Sequence, residues 1–250
     1  MSHTLAIDVG GTGLKATVLD EAGRPCHERV RVATTYPCPP DKLVDDLATL
    51  VQPLPPFDRV SVGFPGVVRD GIVRTAPHFV TVSGPGSPVD PTLESAWTGF
   101  DLGAAMQSRL GHPVRVANDA DVQGLGAIAG TGVELVITLG TGVGSAVFRD
   151  GSLALHLELA HHPLRGTRTY NEVLGDAARK RLGTKKWNRR VLRTLPILDG
   201  LVTPDTILVG GGNAGRLDLS KLDAGLAARV RVISNDAGLL GGIKLWGDVS

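Results

Sequence analysis

The chain has 250 residues, 42% of them hydrophobic, and sets 26 Lys and Arg against 25 Asp and Glu for a formal charge of +1. That is enough apolar material for one large domain or two lobes, and the lack of a basic excess argues against general nucleic-acid or membrane binding. No segment approaches the roughly 18 uninterrupted apolar residues of a membrane span, and no charged-then-apolar leader pattern opens the chain, so a cytoplasmic protein is expected.

In chain order, residues 5–9, 14–19 and 29–33 read as short strands, the first two joined by the glycine turn "DVGGTG" into an antiparallel meander. Residues 42–51 carry Leu43, Leu47, Leu50 and Val51 at helical spacing, and the proline-rich "QPLPPF" ends that helix. A buried strand at 60–64, a short strand in "DGIVRTAP" and a helix over 101–110 closed by Gly111 come next. Between them, "HFVTVSGPGSPVDPTLESAW" is rich in Gly, Pro and Ser and reads as a loop. The second half repeats the theme with a strand at 113–117, a helix at 122–129, and strands at 134–139 and 145–148 around "GTGVG". Helices over 169–182 and 186–201, the strand "TILVGGG", a strand at 230–233 and a terminal helix opened by Asn235 or Asp236 complete it. A βββαβα-like order met twice predicts two related α/β lobes, residues 1–113 and 114–250, with the terminal helix packing back on the first.

Three glycine turns, at 8–13, 139–144 and 209–213, each come after an apolar strand. Successive backbone N–H groups in such a turn form a concave anion site, and the missing Cβ lets phosphate oxygens approach. One Gly-Thr-Gly between strands is equally a plain hairpin; three in register with strands favour a phosphate-handling protein. GxxxxGK[ST] is absent, which excludes a P-loop. Cys26 and Cys38, the only cysteines, are too few for a disulfide framework or a four-cysteine zinc site and read as incidental thiols.

The ordered set "IDVGGTGLK", "PGVV", "NDAD", "ITLGTGVGSA", "ELAH" and "ILVGGGN" resembles the ROK family of sugar kinases, and within it the short polyphosphate-dependent glucokinases. The resemblance implies the actin-like (ribonuclease H-like) sugar kinase fold, two α/β lobes with a cleft between them. It also implies transfer of a terminal phosphoryl group from ATP or inorganic polyphosphate to a hexose hydroxyl with Mg2+. The zinc-binding cysteine motif of many members is missing, so no structural zinc is expected.

Phosphoryl transfer needs phosphate cradles, a metal anchor and a base for the acceptor hydroxyl. Asp119, at the end of an apolar strand, matches the family's catalytic aspartate; its alternative role is an N-cap for the next helix, which Asn118 or Asp121 could equally fill. By the same resemblance Asn118, Gly66, Glu158, His161 and His78 contact the sugar. Asp8 holds magnesium, through water, in preference to merely initiating a turn. Gly10, Gly11 and Thr12 cradle phosphate on one lobe, Gly140, Thr141 and Gly142 on the other, and Gly210, Gly211 and Gly212 match the adenosine side. Lys15 is assigned to ordinary strand surface.

The chain departs from the family pattern at Ala160, where a glycine is usual, at His156, where the polyphosphate glucokinases have asparagine, and around His78, which precedes a glycine- and proline-rich insertion; Trp97 matches the family's tryptophan. A non-glucose hexose or a polyol is therefore an alternative acceptor, and loss of catalysis with retained sugar binding a further one. A ROK-type regulator would carry a DNA-binding segment ahead of the first glycine turn, where this sequence has only a few residues. From Arg179 to Arg193 eight basic residues stand with no acidic one. Such a run is either a solvated helical face or, through Lys185, Lys186, Arg189 and Arg190, a track for polyphosphate. Nucleic-acid and membrane partners are not expected; a homodimer is implied by the resemblance alone.

Overall fold

The computed structural model describes residues 2–233 and 237–247, and the chain divides into two compact units, one of residues 2–122 with 239–247, the other of 123–233 with 237–238. Asn235 and Asp236, expected to open the last helix, lie outside the described residues.

The first unit is built on β1 (Thr4–Val9), β2 (Leu14–Leu19), β3 (Val30–Val32), α1 (Pro40–Val51), β4 (Arg59–Phe64), the hairpin β5 (Val68–Arg69) and β6 (Ile72–Val73), α2 (Pro91–Trp97), α3 (Leu102–Leu110) and β7 (Val114–Asn118). Its sheet runs β3-β2-β1-β4-β7, antiparallel across β3, β2 and β1 and parallel from β1 through β4 to β7. Apolar side chains of β1, β2 and β4 are fully buried against α1, whose Leu43, Leu47, Leu50 and Val51 face the sheet at the expected spacing. The helix α4 (Asp119–Ala127) starts directly after β7, three residues earlier than the apolar pattern predicts, because Asn118 and Asp119 both accept the Ala120 N–H at its first turn.

The segment expected to be a single loop contains α2. Asp90 accepts the Thr92 N–H at 2.8 Å and Pro91 occupies the first turn, a strong start signal hidden by the surrounding glycines. The helix delivers Trp97, 1% exposed, into an aromatic cluster with Phe64, Phe79 and Phe100, its Nε1 donating to the Cys38 carbonyl at 2.9 Å. Burial also pushes the Cys38 thiol up to about 12, which leaves it inert.

The second unit carries β8 (Val133–Leu139), β9 (Val143–Arg149), β10 (Ser152–Leu153), the hairpin β11 (Pro163–Arg165) and β12 (Arg168–Thr169), α5 (Tyr170–Leu174), α6 (Asp176–Leu182), α7 (Thr184–Val202), β13 (Thr206–Gly210), α8 (Ala224–Ala227) and β14 (Val230–Val232). Its sheet runs β10-β9-β8-β13-β14, again antiparallel over the first three strands and parallel over the rest. Two sheets thus share one strand order, and each has a glycine turn between its first two strands. The helix expected over 169–182 is broken into α5 and α6 at Gly175, where a Cβ would come within 2.6 Å of the Asn171 carbonyl oxygen. Thr169 and Glu172 close a capping box at its start.

The final helix α9 (Ala237–Lys244) and the residues after it attach to the first sheet. Ser61 Oγ donates to the Gly242 carbonyl and accepts from Trp246 Nε1 at 2.8 Å. Arg115 and Arg59 lie over the Trp246 ring at 4.7 and 5.3 Å from its centroid, and Arg115 Nη1 donates to the Leu245 carbonyl at 2.6 Å. No helix among the described residues is long and apolar enough to cross a membrane.

Candidate active site

Parallel strands bring the residues at their carboxyl ends to one edge of the sheet, the usual position of a ligand on an open α/β sheet. In the first unit this brings together Asp8 and the 10–13 turn near the end of β1, Gly66 just after β4, and Asn118 with Asp119 at the end of β7. Asp8 is the one exposed position of an otherwise buried strand, and Lys15, its cross-strand partner, reaches Asp8 Oδ2 at 2.8 Å. Lys15 is therefore tied to the candidate metal anchor, where the sequence suggested plain strand surface.

The first turn is enclosed by its own unit. Gly10 N donates to Gly13 O, Thr34 Oγ1 donates to the Gly10 carbonyl at 2.7 Å, and the Tyr36 hydroxyl donates to the Gly11 carbonyl at 2.7 Å. Burial pushes Tyr36 up to about 12, so it stays a protonated donor. Phe79, fully buried against Phe64 and Trp97, anchors the loop that sets its neighbour His78 beside Gly11. A Cβ at Gly11 would stand 2.8 Å from Pro85 and 2.9 Å from His78. Thr12 remains exposed at the tip.

Asn118 is 6% exposed; its Oδ1 accepts from Ala120 N at 2.8 Å and its Nδ2 donates to the Gly66 carbonyl at 2.9 Å. Its amide thus fastens the β4 end to the start of α4. Gly66 has its own packing reason, since a Cβ there would sit 2.0 Å from the Thr75 carbonyl oxygen. Asp119 is exposed at the first position of α4, its Oδ1 accepting from Ala120 N at 2.9 Å.

In the second unit, parallel pairing of β8 with β13 puts the 139–144 and 209–213 turns side by side. Gly211, at φ +87°, lets its backbone pass within 2.6 Å, measured from a notional Cβ, of Leu139 N and O. Around Gly140 and Gly212 such a Cβ would meet nothing within 4 Å. The turn is braced from below. Asp176 N donates to the Gly140 carbonyl at 3.0 Å, Asn213 Nδ2 to Asp176 Oδ1 at 3.1 Å, and Val143 N to Asn171 Oδ1 at 2.6 Å. The ammonium of Lys180, then Arg179 and Asn213, hold the Asp176 carboxyl down at about 2 against its partial burial. Asn171 and Asp176 carry no signal of this role in the sequence, because it depends on the break between α5 and α6.

Glu158 and His161 lie in a loop and turn with no helix beneath them, and the partner Glu158 meets is His156, Nε2 to Oε2 at 3.4 Å. Burial pushes the Glu158 carboxyl up, but His156, the Ala160 N–H at 3.0 Å and the charge of His161 together hold it below the ordinary value. Ser145, 3% exposed, fixes the loop by donating to the Leu157 carbonyl and accepting from Leu159 N. His161 itself is exposed.

On α7, Lys185, Lys186 and Arg189 are exposed and Arg190 is half-buried, while Trp187, Val191, Leu195 and Leu198 face the core. Arg179 and Lys180, at the start of the basic run, are committed to Asp176. Among the described residues no cluster of three or more His, Cys, Asp or Glu is arranged to hold a metal ion.

Comparison with known proteins adds three findings. A family model described as "ROK family" matches residues 4–158. A polyphosphate glucokinase of Mycobacterium tuberculosis is 28% identical over 250 aligned residues, covering 96% of this chain and 89% of the relative. Among solved structures, the inorganic polyphosphate/ATP-glucomannokinase of Arthrobacter sp. strain KM superposes with a TM-score of 0.78 at 30% identity, covering 97% of each chain. The ROK family glucokinase of Streptomyces griseus, solved with glucose and AMPPNP, gives 0.72 at 21% identity and shares the fold, over 98% of this chain and 99% of its own.

Proposed function

Because the chain belongs to the ROK family, we propose that it is a sugar kinase, transferring the terminal phosphoryl group of inorganic polyphosphate or ATP to a hexose hydroxyl, with Asp119 as general base. The observation that carries this reading is the placement of Asp119 at the carboxyl end of β7, on the same sheet end as Asp8 and Gly66. Asp119 is an exposed carboxylate at a strand end, with Oδ1 accepting the Ala120 N–H, a position that an incoming hydroxyl can reach. Asp119 takes the hydroxyl proton as the sugar oxygen attacks the terminal phosphorus and the bond to the leaving phosphate oxygen breaks.

Asn118 ties the Gly66 carbonyl to the Ala120 N–H through its amide, and with Gly66, His78, Glu158 and His161 it supplies contacts to the sugar. Gly140, Thr141 and Gly142, with Gly210, Gly211 and Gly212, take the donor in the second unit, where the open space around Gly140 and Gly212 suits backbone approach to phosphate oxygens. Gly10, Gly11 and Thr12 offer phosphate contacts in the first. Asp8, an exposed carboxylate beside a glycine turn that Lys15 meets at Oδ2, fits a magnesium ion held mainly through water. When bound, that ion neutralises charge on the donor phosphates. Lys185, Lys186, Arg189 and Arg190 form the track for a long polyphosphate. The protein works in the cytoplasm.

A second reading concerns the acceptor. The His156–Glu158 contact puts an imidazole next to a carboxylate assigned to the sugar, which favours a hexose other than glucose or a polyol. The test is a panel of hexoses and polyols crossed with ATP, GTP and polyphosphate. Phosphorylation of at least one acceptor, lost in Asp119→Asn, is expected; a folded protein that binds sugar and phosphorylates none would make it a binding protein.

A further inference from the structure

Outside the glycine turns, one set of charges in the second unit has no counterpart. Arg165 and Arg168 are register partners across the β11–β12 hairpin, α5 packs against both strands of that hairpin and against α7, and α6 packs on α7. This brings Arg165 and Arg168 of the hairpin, Arg181 of α6 and Arg190 of α7 into one neighbourhood. None of the four forms an ion pair among the described residues. Arg168 donates only to a backbone carbonyl, that of Glu172, at 3.0 Å. The Glu172 carboxylate, which feels the charges of Arg168 and Arg181, is occupied by the Thr169 N–H in the capping box. Arg190 Nη1 is closed off from solvent and has no hydrogen-bond partner.

An unpaired buried guanidinium nitrogen is costly to keep, and three like charges around it add to the cost. Burial first, and then Arg168, Arg165 and Arg181, hold the Arg190 pKa below its ordinary value, so the four charges do act on one another. A fold that retains such a group is retaining an unfilled bonding capacity. Planar guanidinium forks match the paired oxygens of a phosphate, and several cationic groups with no anion between them call for a multiply charged one.

We infer that Arg165, Arg168, Arg181 and Arg190 form an oxyanion site for a phosphate group, with the buried Nη1 of Arg190 as its innermost donor. The site shares Arg190 with the polyphosphate track proposed above and to that extent rests on that reading, but its other three arginines lie outside the track, and binding measured without sugar or magnesium tests it apart from phosphoryl transfer. Free orthophosphate and a phosphate chain share the chemistry.

The test tracks the arginine Nε–Hε signals by NMR, and affinity by calorimetry, during titration with orthophosphate or tripolyphosphate in the absence of sugar and magnesium. Expected are shifts of the Arg190 signal and a Kd at least about tenfold weaker in Arg190→Gln and in Arg190→Lys, which keeps charge but loses the fork. Arg193→Gln, an equal change of charge on the same helix, should weaken binding less than about threefold. Relief of the unpaired group predicts an equal or higher melting temperature for ligand-free Arg190→Gln, which also shows that it folds. A response to orthophosphate at concentrations like those for tripolyphosphate supports a site for one phosphate; a much tighter response to tripolyphosphate supports a chain. Unchanged affinity in Arg190→Gln, or equal loss in Arg193→Gln, would overturn the site.

Discussion

After β1 the glycine turn is hemmed in by its own unit, with Tyr36 on the Gly11 carbonyl, Thr34 on Gly10, and His78 and Pro85 against the face where a side chain would project. After β8, in a sheet of the same strand order, the turn is tied from beneath by Asp176, Asn213 and Asn171 while the space around Gly140 stays open. The same motif in the same place therefore meets two different demands. Gly11 is required by packing, whereas a side chain at Gly140 would meet nothing within 4 Å. A glycine pattern shared by two sheets does not by itself assign one role to both.

The largest expected effect separates the chemistry of the first unit from donor handling in the second. Asp119→Asn should lower turnover by roughly 10²- to 10⁴-fold while calorimetry still detects sugar and donor binding; a near-native rate would remove the base from the first unit. Next comes the pair of glycines. Gly11→Ala should destabilise by about 1–3 kcal/mol in urea unfolding, since His78 and Pro85 must give way. Gly140→Ala should change stability by no more than about 0.5 kcal/mol yet raise the donor KM. Equal stability loss in both would erase the contrast between the two turns.

The brace under the second turn has a pH signature. A carboxyl held at about 2, below its ordinary value of 3.8, contributes stability that is complete above the ordinary pKa and is lost as pH falls through about 2. Asp176→Asn should therefore be less stable than the parent at pH 7, by about 1 kcal/mol, and the gap should close on acidification towards pH 2. A gap that widened with acid would mean the carboxylate is not what steadies the turn. The smallest effect belongs to the first unit. Lys15→Gln breaks an exposed pair with Asp8 and should cost at most about 1 kcal/mol, diminishing with added salt. A larger, salt-independent loss would show that the first turn depends on that pair more than on Tyr36 and Thr34.

Much of the fold is legible in the order of residues. Strands with short apolar runs and helices with Leu43, Leu47 and Leu50 at regular spacing announce themselves locally, and the glycine turns mark where strands end. Two helix starts, the first missed by the apolar pattern and the second read from it at 169, have local capping signals as well. Asp90-Pro91 is a helix start, and Thr169 with Glu172 is a capping box, which separates the β11–β12 hairpin from the helix after it. The remainder is not local. The break at Gly175, where a Cβ would also meet the Thr141 carbonyl oxygen, and the reach of Asp176 to Gly140 depend on where distant backbone passes, and no spacing rule encodes that. Asn118 is intermediate. Its type suits a hydrogen-bonding role, but only the approach of β4 to β7 reveals that its amide is engaged by Gly66 and Ala120.

The attachment of residues 239–247 to Ser61, Arg59 and Arg115 bears on how the chain is made. The first unit is discontinuous in sequence, and the second is a continuous segment set into it. During synthesis, Trp246 and its helix emerge more than a hundred residues after the sheet they join. Until then the nascent first sheet waits with that contact surface bare, the period when a chaperone or a neighbouring nascent chain would find it.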